Sequence, residues 1–257
     1  MLLVIDVGNT NIVFGVYKGD VLIHDWRISS NKGRSSDEYG LLFYQILAHR
    51  NIRPFDIDAV IISSVVPNLM HTLPNMVYKY FNKEPIVVEA GIKTGLNIRY
   101  DNPKEVGADR IVNAVAALKN YGGPCIIIDI GTAITFCVVT KQKDYLGGLI
   151  IPGIGISAEA LFTRTSKLPK IEIIEPEEII GKTTVSSMQA GLYYGFSTMI
   201  DGIIGKILDE LKCDRKEVNI IATGGFSGLL LGESKYNIIV DRYLTLDGLR
   251  IIYEMNL

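Results

Sequence analysis

With 257 residues, 48% of them hydrophobic, the chain can bury either one large core or two smaller ones. Its formal net charge of −2 sets up no general field for nucleic acid or an acidic membrane surface, so neither partner is expected. Cys125, Cys137 and Cys213 are widely spaced and fit buried thiols rather than a disulfide frame or a zinc site. No apolar run nears the roughly 18 residues of a membrane span, and no basic leader precedes Asp6, so a cytoplasmic protein is expected.

In chain order, residues 2–7, 12–17 and 21–28 predict a three-stranded meander, its second pair joined at Lys18-Gly19-Asp20. Ser36, ahead of Asp37 and Glu38, is placed to cap a helix running to about Arg50, with Leu41, Leu42 and Ile46 in helical spacing. Residues 59–64 predict a strand, Pro67 opens a helix, and residues 85–89 predict another strand. The stretch from Gly91 to Gly107 is too polar for core. A helix over 108–120 leads into Tyr121-Gly-Gly-Pro124, which marks a lobe boundary and divides the chain into lobes 1–120 and 121–257.

The second half repeats the plan. Strands are predicted over 126–129, 135–140 and 145–151, a helix over 153–164, and an extended linker over 167–176. A long helix follows over 183–211, with Met188, Leu192, Phe196, Met199, Ile203 and Ile207 recurring every three or four residues. Residues 220–222 form a strand that ends in Thr223-Gly-Gly-Phe-Ser-Gly228, ahead of a short helix. A terminal helix covers 247–254.

Two segments of this plan carry chemistry in duplicate. Asp6-Val-Gly-Asn-Thr-Asn11 and Asp129-Ile-Gly-Thr-Ala-Ile134 each follow an apolar strand, and in each a glycine stands two positions after the aspartate. Glycine and small polar neighbours let backbone N–H groups approach phosphate oxygens without a Cβ in the way. An aspartate repels phosphate, so its presence makes sense if a divalent cation stands between them. One such turn alone serves equally well as a tight structural turn. Two in matching register point to a duplicated α/β protein with a phosphate-handling cleft between its lobes. The Thr223-Gly-Gly turn is a third candidate contact, for adenosine, although glycines at such turns are also common for steric reasons. Gly107-Ala-Asp-Arg110 opens a helix with free N–H groups and an adjacent acid and base, which suits a small hydroxy acid, or equally an ordinary helix start. His24, His49 and His71 show no ligand spacing.

Taken in order, Asp6-Val-Gly-Asn-Thr-Asn11, Gly107-Ala-Asp-Arg110, Asp129-Ile-Gly-Thr132 and Thr223-Gly-Gly225 resemble the motifs of type III pantothenate kinases, in the superfamily of acetate and sugar kinases, heat-shock ATPases and actin. The resemblance spans essentially the whole chain. It implies two similar actin-like (ribonuclease H-like) α/β lobes with a nucleotide cleft between them, and transfer of the γ-phosphoryl group of ATP to pantothenate, the first step towards coenzyme A.

By the same resemblance, Asp6, Val7, Gly8, Asn9, Thr10, Asn11, Ile12 and Val13 form the ATP phosphate loop, with Asp6 near Mg2+, and Thr132 touches ATP from the second turn. Asp129 corresponds to a ligand of a monovalent cation, K+ or NH4+. Tyr100, Gly107, Ala108, Asp109, Arg110 and Thr184 correspond to pantothenate contacts, with Asp109 as general base. Tyr100 also suits a loop aromatic covering apolar surface, and Thr184 a cap for the long helix. The family's active site is completed in a homodimer, for which the stripe over 188–207 offers surface, although that stripe is equally needed inside one lobe. Two other functions remain open: another small-molecule kinase on this fold, and a non-catalytic role of the Bvg accessory factor type. Retention of Asp6, Asp109 and Asp129 together favours catalysis.

Overall fold

A computed structural model describes residues 1–257. The chain forms two compact units, one made of Met1–Leu96, Tyr100–Ala116 and Tyr243–Leu257, the other of Asn97–Arg99 and Ala117–Arg242. A single cut at residue 120 therefore misplaces the C-terminal segment, because that segment packs back onto the first unit's sheet.

The first unit holds β1 (Leu2–Val7), β2 (Asn11–Lys18), β3 (Val21–Ser29), α1 (Ser36–Ala48), β4 (Ala59–Ser64), α2 (Thr72–Phe81) and β5 (Ile86–Val87). Its sheet runs β3-β2-β1-β4-β5, antiparallel through the meander and parallel from β1 to β4 to β5. Along β1, Leu3, Ile5 and Val7 join Phe43 and Leu47 of α1 and Leu73 and Met76 of α2 in one core. Leu2 and Val4, on the alternate face, are buried as well, so β1 is a strand covered on both sides, which explains its unbroken apolar run.

The cap of α1 is Ser35, one residue earlier than the sequence suggested. Its Oγ accepts from the Glu38 N–H (3.3 Å) while the Glu38 carboxylate accepts the Ser35 N–H (2.7 Å). That reciprocal pair requires an acid three residues on, which Ser35 has and Ser36 does not.

The remaining elements are β6 (Asn97–Ile98), α3 (Ala108–Tyr121), β7 (Cys125–Ile130), β8 (Ala133–Val139), β9 (Asp144–Pro152), α4 (Ile154–Arg164), α5 (Thr184–Leu211), β10 (Asn219–Thr223), α6 (Ser227–Leu230), β11 (Ile238–Val240) and α7 (Leu244–Met255). The second sheet runs β11-β10-β7-β8-β9-β6. Its first five strands, taken from the other end, repeat the order of the first sheet, with β7 in the place of β1 and β10 in the place of β4. The added β6 pairs parallel with β9, so the polar stretch 91–107 holds a short edge strand that its composition hid. β11 was likewise not predicted.

Ile126, Ile128 and Ile130 of β7 pack against α5 through Leu192, Tyr193, Ile200, Ile204, Ile207 and Leu208. Of the predicted stripe, Met188, Leu192 and Ile207 are buried, while Phe196, Met199 and Ile203 flank the core. The face was recognised, but its centre lies nearer Ile200 and Ile204. No helix is long and apolar enough to cross a membrane.

In the first unit, α7 packs on β1 and β4 and crosses α3 at Gly248, where a Cβ would overlap the Val112 carbonyl. Beside this crossing Thr245 Oγ1 donates to Asn113 Oδ1 at 2.7 Å. Only a residue without a side chain permits that approach. Gly248→Ala is expected to destabilise the fold by about 1–3 kcal/mol through overpacking, seen as a lower urea midpoint with the m-value unchanged.

Candidate active site

The first acidic turn is built by β1 and β2. Asp6 stands opposite Val13 on β2 and Ser63 on β4, and the turn closes through Gly8 N–H to the Asn11 carbonyl at 2.9 Å. Asn9 and Thr10 are exposed, Asp6 and Gly8 half-buried. Residues 11–13 belong to β2, so the segment 6–13 comprises the end of one strand, a turn, and the start of the next. Ser63, fully buried, donates its hydroxyl to Asp6 Oδ1 at 2.9 Å. Sequence reasoning did not single out Ser63; the available signal was a pair of serines closing an otherwise apolar strand.

The second turn is similar but one residue shorter. Asp129 stands opposite Thr135 on β8 and Thr223 on β10, and Gly131 N–H bonds to the Ala133 carbonyl at 3.1 Å. Two further glycines pack directly onto it. Gly153, just before α4, donates its N–H to the Thr132 carbonyl at 3.0 Å, and a Cβ there would overlap the carbonyl oxygens of Gly131 and Thr132. Gly224 has φ +95°, and a Cβ on it would come within 2.5 Å of the Ile130 carbonyl carbon. The Thr223-Gly-Gly segment and the second acidic turn are thus one assembly within the second unit. Gly153 was not recognised from the sequence as part of it.

Asp109 lies in the first turn of α3. Ile111 N–H bonds to the Gly107 carbonyl at 3.3 Å, and Asp109 Oδ1 accepts the Arg110 N–H at 2.7 Å. The carboxylate folds back over Gly107, where a Cβ would lie 2.6 Å from Oδ1. Burial raises the Asp109 pKa above the usual carboxylate value; the backbone hydrogen bond and positive charge of Arg110 oppose that rise without cancelling it. Arg110 is itself buried.

Val65 connects this motif to the first turn. Its N–H bonds to the Val7 carbonyl at 3.1 Å, and its Cγ1 lies 3.7 Å from the place of a Cβ on Gly107. Residues about 100 apart in sequence are thereby neighbours within one unit.

The family profile of type III pantothenate kinases matches residues 2–206. The chain belongs to the type III pantothenate kinase family. It is 56% identical over 256 residues to a type III pantothenate kinase of Finegoldia magna, covering 100% of this chain and 98% of that relative. It is 54% identical to one from a Geobacillus species, with the same coverage. Among solved structures it is similar to a Campylobacter jejuni protein described as a Baf family transcriptional activator, with TM-score 0.62 and 20% identity over 99% of this chain and 98% of that one. At that identity the likeness concerns the fold alone.

In this type III pantothenate kinase family member, Tyr100 is half-buried in irregular chain just after Arg99, whose guanidinium pairs with Asp144 at 2.8 Å. Thr184 is not the cap of α5. That role falls to Thr183, whose Oγ1 accepts the Ser186 N–H at 3.1 Å, while Ser186 Oγ accepts the Thr183 N–H. Thr184 is exposed and lines an open groove of about 630 Å³ with Leu168, Lys182, Ser187 and Met188. No three His, Cys, Asp or Glu side chains gather into a metal cage.

Gly107→Ala is expected to push the Asp109 carboxylate out of its position. Turnover should fall at least tenfold with the far-ultraviolet circular dichroism of the parent retained, in a coupled ADP-release assay.

Proposed function

We propose that the first turn holds the phosphates of ATP, that Asp109 accepts the proton of the pantothenate hydroxyl, and that the second turn serves a monovalent cation, in the ATP-dependent phosphorylation of pantothenate. As a type III pantothenate kinase the chain makes 4′-phosphopantothenate, the first step of coenzyme A biosynthesis. The observation that supports the division of roles is that Val65, bonded to the Val7 carbonyl, lies close to Gly107, so the Gly107-Ala-Asp-Arg110 motif is near the first turn.

The pantothenate hydroxyl oxygen forms a bond to the γ-phosphorus as the bond from that phosphorus to the β,γ-bridging oxygen breaks, releasing ADP. The hydroxyl proton passes to the Asp109 carboxylate. Such transfer needs positioning and charge neutralisation more than covalent help from the protein. Residues 6–13 supply backbone donors and small side chains for the phosphates, and Thr132 supplies a hydroxyl from the second turn. Tyr100, the residues from Gly107 to Arg110, and Thr184 hold pantothenate.

A lone carboxylate such as Asp6 fits Mg2+, which keeps several waters and takes one or two carboxylates plus substrate phosphates rather than a protein cage. When bound, Mg2+ neutralises developing phosphate charge. Asp129, a half-buried carboxylate at the end of β7, is the residue assigned to a monovalent ion, K+ or NH4+.

A homodimer completes the proposal. The apolar stripe of α5 is consumed by its own core, so the partner-facing surface is better supplied by Ile179 and Ile180, 67% and 76% exposed, and Val185 at the start of α5. These residues adjoin Thr184. Ile180→Asp is expected to shift the dimer–monomer equilibrium at least tenfold towards monomer in sedimentation equilibrium. An unchanged equilibrium would remove this surface from the proposal.

Asp109 also yields a pH signature. A general base must be ionised, so kcat/KM should fall on the acid side with an apparent pKa above the ordinary carboxylate value. Asp109→Asn should lower kcat by about 10²- to 10⁴-fold and abolish that limb. A raised folded-state pKa contributes stability that is present below the unfolded pKa and lost as pH rises through the folded one. At neutral pH the ionised Asp109 is therefore a burden on the fold, and Asp109→Asn should raise Tm. Near-normal turnover in this variant would sink the assignment.

A further inference from the structure

We infer that Ser63 is a positioning residue for Asp6. The inference rests on the assignment of Asp6 to the nucleotide phosphates and their divalent ion.

β4 reads Ala-Val-Ile-Ile-Ser-Ser, and Val60, Ile61 and Ile62 are buried. Ser63 is 0% exposed. A fully buried hydroxyl at the end of an apolar strand gains nothing from the hydrophobic effect and needs a hydrogen-bond partner to offset its desolvation. That partner is Asp6 Oδ1, at 2.9 Å. Parallel pairing sets Asp6 and Ser63 directly abreast, so their side chains leave the sheet on the same face. A hydroxyl carries one proton, so it binds one carboxylate oxygen and thereby fixes the rotation of the whole group about its Cβ–Cγ bond. A carboxylate held in one orientation meets a ligand without first losing rotational freedom.

The second unit carries a hydroxyl residue at the corresponding place in the fold. β10 holds to β7 the relation that β4 holds to β1, and Thr223 stands abreast of Asp129 as Ser63 does of Asp6. Thr223 is 3% exposed and follows Ile220, Ile221 and Ala222, all buried. The two hydroxyl residues are 57 and 94 positions after their acids, so no local sequence repeat aligns them. Sheet register does.

The test is calorimetric titration with Mg·ADP, with Tm and the KM for pantothenate measured on the same proteins. Ser63→Ala should weaken Mg·ADP binding about tenfold, as expected for a lost hydrogen bond to a charged group, while the KM for pantothenate stays within twofold. Ser63→Cys fills similar space with a weak donor and should show a comparable loss. Ser63→Thr, the residue used by the second copy, should retain affinity within threefold. Mg·ADP affinity within twofold of the parent in Ser63→Ala or Ser63→Cys would overturn the inference, as would equal losses for Mg·ADP and pantothenate. Asp6→Asn separates the two levels of argument. If it leaves Mg·ADP binding intact, the assignment of Asp6 fails; if it weakens binding while Ser63→Ala and Ser63→Cys do not, only the role of Ser63 fails.

Discussion

Each unit is organised around one carboxylate set at the end of a central strand that is buried on both faces. Along β1 and β7 every position before the aspartate must be apolar, because helices or neighbouring strands leave no water on either side. A charge is tolerated only where the strand opens into its turn, and there it needs donors. Ser63 provides one for Asp6. The same end of the strand holds the glycine turn, so a buried strand, its carboxylate and the hydroxyl that donates to it meet at one place in the first unit.

Close approach at the sites depends on missing Cβ atoms. Gly107 makes room for the Asp109 carboxylate, Gly153 lets the start of α4 rest on the Thr132 carbonyl, and Gly224 sets the third turn against Ile130. A side chain at any of these would separate groups that now touch, and close packing leaves little slack to absorb the shift. The structure also carries an electrostatic cost at Asp109, whose burial works against its ionised form, and it is offset elsewhere by two extensive apolar cores.

Much of this was legible from residue order. β1 and β4 were located to the residue, since a buried strand bounded by polar turns has an abrupt signature. The duplicated acidic turns and Gly107-Ala-Asp-Arg110 were visible as motifs. Short-range chemistry was read less well: the cap of α1 is Ser35 because its partner Glu38 lies three residues on, and Thr183 precedes Thr184 for the same reason. β6 and β11, of two and three residues, have no periodicity of their own and exist only by pairing with β9 and β10. The return of α7 to the first unit was hidden because its apolar residues, Leu244, Leu246, Leu249, Ile251 and Ile252, mark a buried face without saying which sheet it meets.

The sequence by itself determined the alternation of strands and helices, the duplication, and the family, because these depend on local hydrophobic pattern and on motifs a few residues long. Only the tertiary structure decided which distant residues share a neighbourhood: Val65 with Val7 and Gly107, Ser63 with Asp6, Gly153 and Gly224 with the second acidic turn. These contacts are set by sheet register and by the closeness of packed backbones, and neither quantity is carried by any single stretch of chain.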